Sequence, residues 1–403
     1  MKPLTTSIYT FADLIRGGYQ YVDKTEGIYR LVREYKGQYF LSRPRRFGKS
    51  LLVSTLKSIF QGRKELFKGL SIYDTDYAWK TYPVIHLDMG DRAASTADEL
   101  KKSLKYIVDV HAQLFNFRLT QDHYSDRFRE LIDILYQQRG PVVILIDEYD
   151  KPLLGHLGKE SAKEIQDVLK TLYSVIKTTE PQQRFVLLTG VSKFSKVSVF
   201  SDLNNLTDLT MDRETATLLG YTQEEVEINF PDYIERLAKY QDTSKDKALS
   251  ELREWYNGYR FHQDAESIYN PVSVMKCLQS GEFRNYWFET GTPTFLLELL
   301  KRQPVDMNEL TVPETAFSTY DPAELEPLPL LFQTGYLTIH GTEQLGEAKY
   351  YHLDYPNREI RQSFNYWLAR QLADLPDPEL NTALLGIVKS LERGAVDEML
   401  EHL

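Results

Sequence analysis

The sequence predicts an α/β fold: a parallel sheet interleaved with helices, followed by a helical region and a small unit built around a hairpin. Three observations carry this. The stretch LSRPRRFGKSLL, Leu41 to Leu52, joins a short aromatic and aliphatic run to a helical one. PVVILIDEYD, Pro141 to Asp150, leads five consecutive aliphatic residues straight into two acids. Around these two stretches, strand-like runs alternate with segments of helical period, which is the pattern of a parallel sheet with crossover helices.

At 403 residues the chain is long enough for two or three domains of about 150 residues each. With 42% hydrophobic residues it can fill their cores. The single cysteine, Cys277, excludes an intramolecular disulfide and a cysteine zinc cluster and reads as a packing residue. No run approaches the ~18 apolar residues of a membrane helix, and the start MKPLTTSIYTFADLIRGG lacks the apolar core of a signal peptide. The expectation is a soluble, cytoplasmic protein that does not enter membranes. A net charge of -10 argues against coating nucleic acid with the whole surface, although a local basic patch stays open.

Taken in order, TFAD at Thr10 resembles a capping box with aspartate for glutamate, closed by Gly17 and Gly18. Helical spacing at Ile28, Leu31 and Val32 leads into the candidate strand GQYFLS. After the GKS loop, Leu51, Leu52, Leu56 and Phe60 fall at core-facing intervals of a helix. PVIHLDMG at 83–90 reads as a second buried strand, with helices following at roughly 96–117 and 124–138. A helix at roughly 159–179 precedes RFVLLTGVSKF, another buried strand with polar residues at its tip. From about residue 215 strand signals fade; Thr222 and Glu225 form a capping box, and helices follow at roughly 231–241 and 246–256. EWYNGYRF carries an Asn-Gly turn signal, and YNPVSVMKCL and FETGTPTFLLELL read as helices with polar starts. An alternating hairpin is expected from Tyr336 to Asp354, between a short helix and a final amphipathic one. Glu347 and Lys349 would match an acid-x-lysine nuclease pattern, but the hairpin turn explains them more simply. The expected divisions are 1–214, 215–320 and 321–403.

The GKS loop is half of a phosphate-binding loop. In G-x-x-x-x-G-K-[ST], backbone N–H groups wrap the phosphates, the lysine reaches the β and γ groups and the hydroxyl holds Mg²⁺. Gly48, Lys49 and Ser50 supply the second half, while Arg43 stands where the first glycine belongs, ahead of Pro44. Asp147 sits where a buried strand ends in an acid that supports magnesium, and Glu148 where an acid can polarise the attacking water. Thr189 is the first candidate for a polar residue sensing the γ-phosphate and Ser192 the second, each weighed against a strand-end hydroxyl in a turn. In an additional-strand P-loop ATPase that strand lies between the other two. Arg260 is a further candidate for reaching back to phosphate.

With RPRRFGKS, IDEYDKP, TGVSKFSK, SDLNNLTDLT, WYNGYRF and QTGYL assembled, most of residues 5–365 resembles a bacterial AAA-ATPase-like family. The resemblance implies a P-loop AAA-like ATPase core, a helical lid and a winged-helix-like unit. It also implies that arginine at position 43 is characteristic of the family. Related signal-transducing P-loop ATPases carry a short box lining the adenine pocket, and YVDKTEG at 21–27, with Asp23, sits at that place. Family members commonly continue into a PD-(D/E)XK nuclease-like domain, which is expected to be largely or wholly absent here.

The expected ligands are ATP and Mg²⁺. Arg43, Arg45, Arg46, Phe47, Gly48, Lys49, Ser50, Leu51, Asp23 and Thr189 are the candidate nucleotide contacts, and Ser50 and Asp147 the metal ligands. Lys49, Glu148 and Arg46 are the candidate catalytic residues. At least one of the three loop arginines is expected to supply a positive charge to the γ-phosphate; the alternative is that they bind acids of the lid or face water. The reading is Mg-dependent ATP hydrolysis coupled to motion of the lid and the C-terminal unit. The alternative is a slow or non-hydrolysing switch or scaffold for a protein partner, for self-association or for a nuclease-like domain. Nucleic-acid binding through the C-terminal unit, with Arg358 and Arg361, is a third class. No base-specific motif separates ATP from GTP.

Overall fold

The computed structural model describes residues 1–92, 94–157, 159–193, 205–287, 294–307, 309–317, 326–373 and 375–395. Residues 194–196 of TGVSKFSK, 201–204 of SDLNNLTDLT and 288–293 of FETGTPTFLLELL lie outside them.

Two short helices, α1 (Phe11–Arg16) and α2 (Thr25–Val32), precede the first strand. Thr10 occupies the cap position of α1, but its side chain makes no capping bond. The Phe11 N–H donates instead to Ser54 Oγ at 2.9 Å, so a tertiary partner replaces the expected local cap. The sheet comprises β1 (Gly37–Ser42), β2 (Val84–Asp88), β3 (Val142–Asp147), β4 (Gln183–Gly190) and the two-residue β5 (Thr207–Asp208). Its order is β2-β3-β4-β1-β5, and all pairings are parallel. The strand β4 therefore lies between β1, which feeds the GKS loop, and β3, which ends in Asp147, as the additional-strand pattern requires.

Every residue of β3 and β4 is buried. A parallel sheet covered on both faces accounts for their unbroken apolar runs. The cover comes from α3 (Lys49–Phe60), α4 (Ala97–Leu114), α5 (Tyr124–Arg139), the single turn α6 (Lys151–Leu154) and α7 (Ser161–Thr178). On α3, Leu52, Val53, Leu56, Ile59 and Phe60 are buried, one apolar stripe aimed at the strands.

The helical region contains α8 (Gln223–Asn229), α9 (Pro231–Tyr240), α10 (Lys245–Tyr256) and α11 (Pro271–Ser280). The Thr222 side chain accepts from Glu225 N–H while the Glu225 carboxylate accepts from Thr222 N–H, the reciprocal capping box read from the sequence. These helices bury a core of their own, including Phe230, Ile234, Leu237, Leu252, Val274 and Cys277, which Leu4 and Val22 of the N-terminal segment also enter.

After α12 (Thr294–Arg302) come β6 (Thr311–Pro313), α13 (Pro327–Thr334), β7 (Thr338–Leu345), β8 (Ala348–Asp354), α14 (Arg358–Leu372) and α15 (Asp377–Glu392). The hairpin β7–β8 carries β6 on the outer edge of β8, all antiparallel. Gly346, at φ 64, and Glu347 make its two-residue turn, and Lys349 pairs with Glu314 at 3.5 Å, so the acid-x-lysine pattern here is hairpin architecture.

This C-terminal unit does not stand apart. Leu330, Leu331, Phe332, Tyr336 and Phe364 belong to the same buried cluster as the sheet. Gln333 Oε1 accepts from the Lys193 N–H at 2.8 Å. Gly258, at φ 112, is where the Asn-Gly turn meets the unit, since a β-carbon there would lie 1.7 Å from the Pro356 carbonyl oxygen.

Candidate functional site

The carboxyl ends of β1 and β3 point the same way, so the two chemically loaded stretches of the sequence meet across β4. The loop after β1 closes on Gly48, which takes φ 92 at the head of α3, and the first turn of α3 directs its free N–H groups into the same space. Arg46 holds φ 66 and Glu148 φ 49, left-handed conformations that cost a non-glycine residue energy and collect at functional sites.

Lys49 is buried, and its ammonium donates to the carbonyls of Arg43 at 2.9 Å and Pro44 at 3.0 Å. Burial holds its proton affinity below the usual lysine range, against the pull of Asp147, Asp150 and Glu148. Asp147 is buried at the end of β3, opposite Asp88 in the register, and accepts hydrogen bonds from Ser50 and from the Glu148 N–H. Burial raises its carboxyl to about 6, with Ser50 and Lys49 acting in the other direction.

A cavity of about 440 Å³ opens over this cluster. Its wall includes a charged and polar group from the GKS loop and the turn after β3, Arg45, Gly48, Lys49, Ser50, Glu148 and Lys151. It also includes apolar side chains from the N-terminal segment and the helical region, Ile8, Val22, Leu218, Pro271 and Met275, interspersed with Gln20 and Lys24. Of the residues named from the sequence, Arg45, Arg46, Phe47, Gly48, Lys49, Ser50, Leu51 and Glu148 line the cavity.

The others are placed differently. Arg43 is 1% exposed and turned away: its guanidinium donates to the carbonyls of Ser42, Thr210 and Thr215 at 2.9, 2.7 and 3.1 Å and lies over the Phe261 ring at 4.2 Å. Its side chain is a strut between β1 and the segment after β5, not a cavity group. Arg46 lines the cavity but donates its Nη1 to the Tyr286 carbonyl, so that hydrogen bond is committed to the chain beyond α11. Asp23 does not line the cavity; its two oxygens accept from Thr25 N–H and Oγ1 and from Ser71 N–H and Oγ, at 2.6 to 2.8 Å. Its neighbours Val22 and Lys24 line the cavity instead. Thr189 is fully buried, with its hydroxyl donating to the Leu41 carbonyl at 2.8 Å, and Ser192 donates to Asp150 at 2.6 Å. Both strand-end hydroxyls serve the sheet. Arg260 reaches the His340 carbonyl at 3.5 Å, on the hairpin, not the phosphate loop.

Sequence reasoning did not find Glu359. This carboxylate, fully buried at the start of α14, accepts from the Trp287 N–H at 2.7 Å and the Ser273 hydroxyl at 2.8 Å. Trp287 in turn donates its indole N–H to the Arg45 carbonyl at 3.3 Å. A single acid of the C-terminal unit thus holds the segment that contacts the GKS loop. The only sequence signal was Asn357, which caps α14 two residues earlier.

Burial raises Glu359 to about 7, opposed by its hydrogen bonds to Trp287, Ser273 and Tyr286 and by the charge of Arg46. A carboxyl raised on folding stabilises the protein below its unfolded value, and that contribution is lost as pH rises through the folded value. At about 1.4 kcal/mol per pH unit, the loss between pH 4.5 and 7 is on the order of 3 kcal/mol. Urea unfolding at pH 5 and pH 7.5 should therefore show a steeper fall in stability for the native chain than for Glu359→Gln. Parallel falls would remove Glu359 from the account.

A family model described as predicted AAA-ATPase matches residues 5–200. A protein of Azotobacter chroococcum mcd 1, called an uncharacterized protein in the vnfD 5' region, is 40% identical over 384 residues, spanning 94% of this chain and 71% of that relative. The chain belongs to the AAA-ATPase-like family. ATPase-like nucleotide binding is the property the family brings to this fold. Among solved structures, the Aeropyrum pernix ORC1 protein in complex with DNA overlaps at TM-score 0.32 and 14% identity, over 86% of this chain and 92% of that one. The ADP form of the Aeropyrum pernix ORC2 protein overlaps at 0.35 and 14%, over 92% and 96%. Scores this low have no bearing on the site. Among the described residues, no helix is long and apolar enough to cross a membrane.

Proposed function

We propose that this AAA-ATPase-like chain binds ATP in the cavity over the GKS loop and hydrolyses it within the cytoplasm. The observation that carries the reading is a single cavity walled both by Gly48, Lys49, Ser50 and Glu148 and by apolar side chains such as Val22, Leu218 and Pro271. The triphosphate would lie against the first set and the base against the second. Lys49 would exchange its two loop carbonyls for β and γ oxygens. Glu148, held apart from the strand by its left-handed backbone, is the group to orient water and take its proton.

Ser50 and Asp147 fit a magnesium ion, being a hydroxyl and a buried carboxylate already in contact. The ion, when bound, would neutralise charge on the phosphate oxygens. Of the three loop arginines, Arg45 is the one whose side chain makes no hydrogen bond or ion pair among the described residues while lining the cavity. Arg45 is therefore the proposed source of positive charge at the γ-phosphate, beside Arg46, which also lines the cavity.

ATP binding and turnover on the purified chain test the reading. Lys49→Ala should abolish both, because the buried ammonium sits within the loop itself, on the carbonyls of Arg43 and Pro44; binding unchanged in that variant would sink the proposal.

A second reading, a nucleotide-controlled switch, is favoured by the contacts from Glu359 through Trp287 to Arg45. In it the divisions 1–214, 215–320 and 321–403 are ATPase core, lid and C-terminal relay to a protein partner or nuclease-like domain. Tight binding with turnover no faster than that of the Lys49→Ala and Glu148→Gln variants would select it.

A further inference from the structure

The turn after β3 places four consecutive side chains on two sides. Tyr149 and Asp150 face inward. The Tyr149 hydroxyl donates to the Ser192 carbonyl at 2.7 Å. Asp150 Oδ2 accepts from the N–H groups of Val191 and Ser192 at 3.0 and 2.8 Å and from the Ser192 hydroxyl at 2.6 Å. Glu148 and Lys151 line the cavity. The turn is closed by the Lys151 N–H donating to the Glu148 carbonyl at 2.9 Å, and it continues into Pro152, Leu153 and Leu154, which are buried. The backbone of Lys151 is therefore clamped from both sides, by Asp150 against the end of β4 and by the leucines in the core.

The side chain is in the opposite condition. Lys151 is half-buried beside three acids, Asp147, Glu148 and Asp150, yet among the described residues its ammonium makes no hydrogen bond and no ion pair. Asp147 is occupied by Ser50 and its own turn, and Asp150 by β4. A fixed backbone carrying an uncommitted cation on the wall of this cavity is preorganised for an anion supplied from outside.

We infer that Lys151 contacts the terminal phosphate of a bound nucleoside triphosphate, so that the site distinguishes triphosphate from diphosphate through a lysine of the same turn that carries Glu148. The geometry supports this over a role at the α- or β-phosphate. Those groups would lie over the loop N–H groups at the head of α3, with Lys49 bridging the β and γ oxygens, whereas Lys151 belongs to the turn after β3 that also carries Glu148, the residue that would hold the attacking water. The assignment rests on the nucleotide reading above.

The test compares affinities for a non-hydrolysable ATP analogue and for ADP, by calorimetry, in the native chain, Lys151→Ala and Lys151→Arg. A charge-assisted hydrogen bond lost to one phosphate should weaken the analogue about tenfold or more in Lys151→Ala while leaving ADP within twofold. Lys151→Arg should recover most of the difference. Matching thermal melts show that the variant is folded. Equal weakening of both ligands, or none, overturns the inference while the nucleotide reading stands. A native chain that binds neither ligand overturns both.

Discussion

Glu148→Gln should lower ATP turnover by about 10²- to 10⁴-fold while ATP affinity changes by no more than a few-fold. The amide matches the carboxylate in size and can hold the same left-handed backbone at φ 49, so the turn and the cavity are retained. What is lost is the ability to accept a proton from water. Glu148 has room for this work because Gly90 leaves space on its flank: a β-carbon at position 90 would lie 3.3 Å from the Glu148 Oε2. Asp147, one residue earlier, is buried and hydrogen-bonded to Ser50, which suits it to hold position rather than to exchange protons. In the proposed reading the two neighbouring acids differ in role because their environments differ. A turnover loss smaller than tenfold, with binding intact, would show that water is activated by another group.

Arg43→Met should cost about 3–5 kcal/mol of stability, read as a lowered urea midpoint, because it removes the donor to the buried carbonyls of Ser42 and Thr210 and one of the two donors to that of Thr215, which keeps the Leu218 N–H. Arg43→Lys should cost less. It keeps the charge but not the planar fork that reaches separate carbonyls and stacks on Phe261. The effect on ATP affinity should follow stability, since the Arg43 side chain is absent from the cavity wall. Unaltered stability together with a selective loss of ATP binding would restore Arg43 to the phosphate.

This prediction runs against the sequence, and the reason generalises to the other misplaced residues. Arg43, Arg45 and Arg46 are nearly adjacent in one loop and chemically identical, so nothing in the order of residues distinguishes the strut, the cavity cation and the one tied to Tyr286. The outcome depends on acceptors more than 150 residues away for Arg43 and 240 away for Arg46. The same holds for Asp23, whose partner Ser71 comes from another turn, and for Thr189, whose hydroxyl goes to a neighbouring strand.

By itself the sequence determined what depends on short range and on patterning. The unbroken aliphatic run of β3 requires a doubly covered parallel strand. Gly48 and the helical spacing after it require a loop that ends at a helix head. Thr222 and Glu225 cap each other, and the alternation from Tyr336 to Asp354 pairs as β7 and β8. Those features need only neighbours a few residues away, or a period that one face of an element must satisfy. The tertiary structure decided which long polar side chains reach the cavity and which are used up inside. It brought Glu359 under the phosphate loop, committed Arg43 to backbone carbonyls and left Lys151 uncommitted beside Glu148. A buried charge must find partners wherever the fold supplies them, so the position of a long charged side chain is settled by packing between elements and not by its place in the chain.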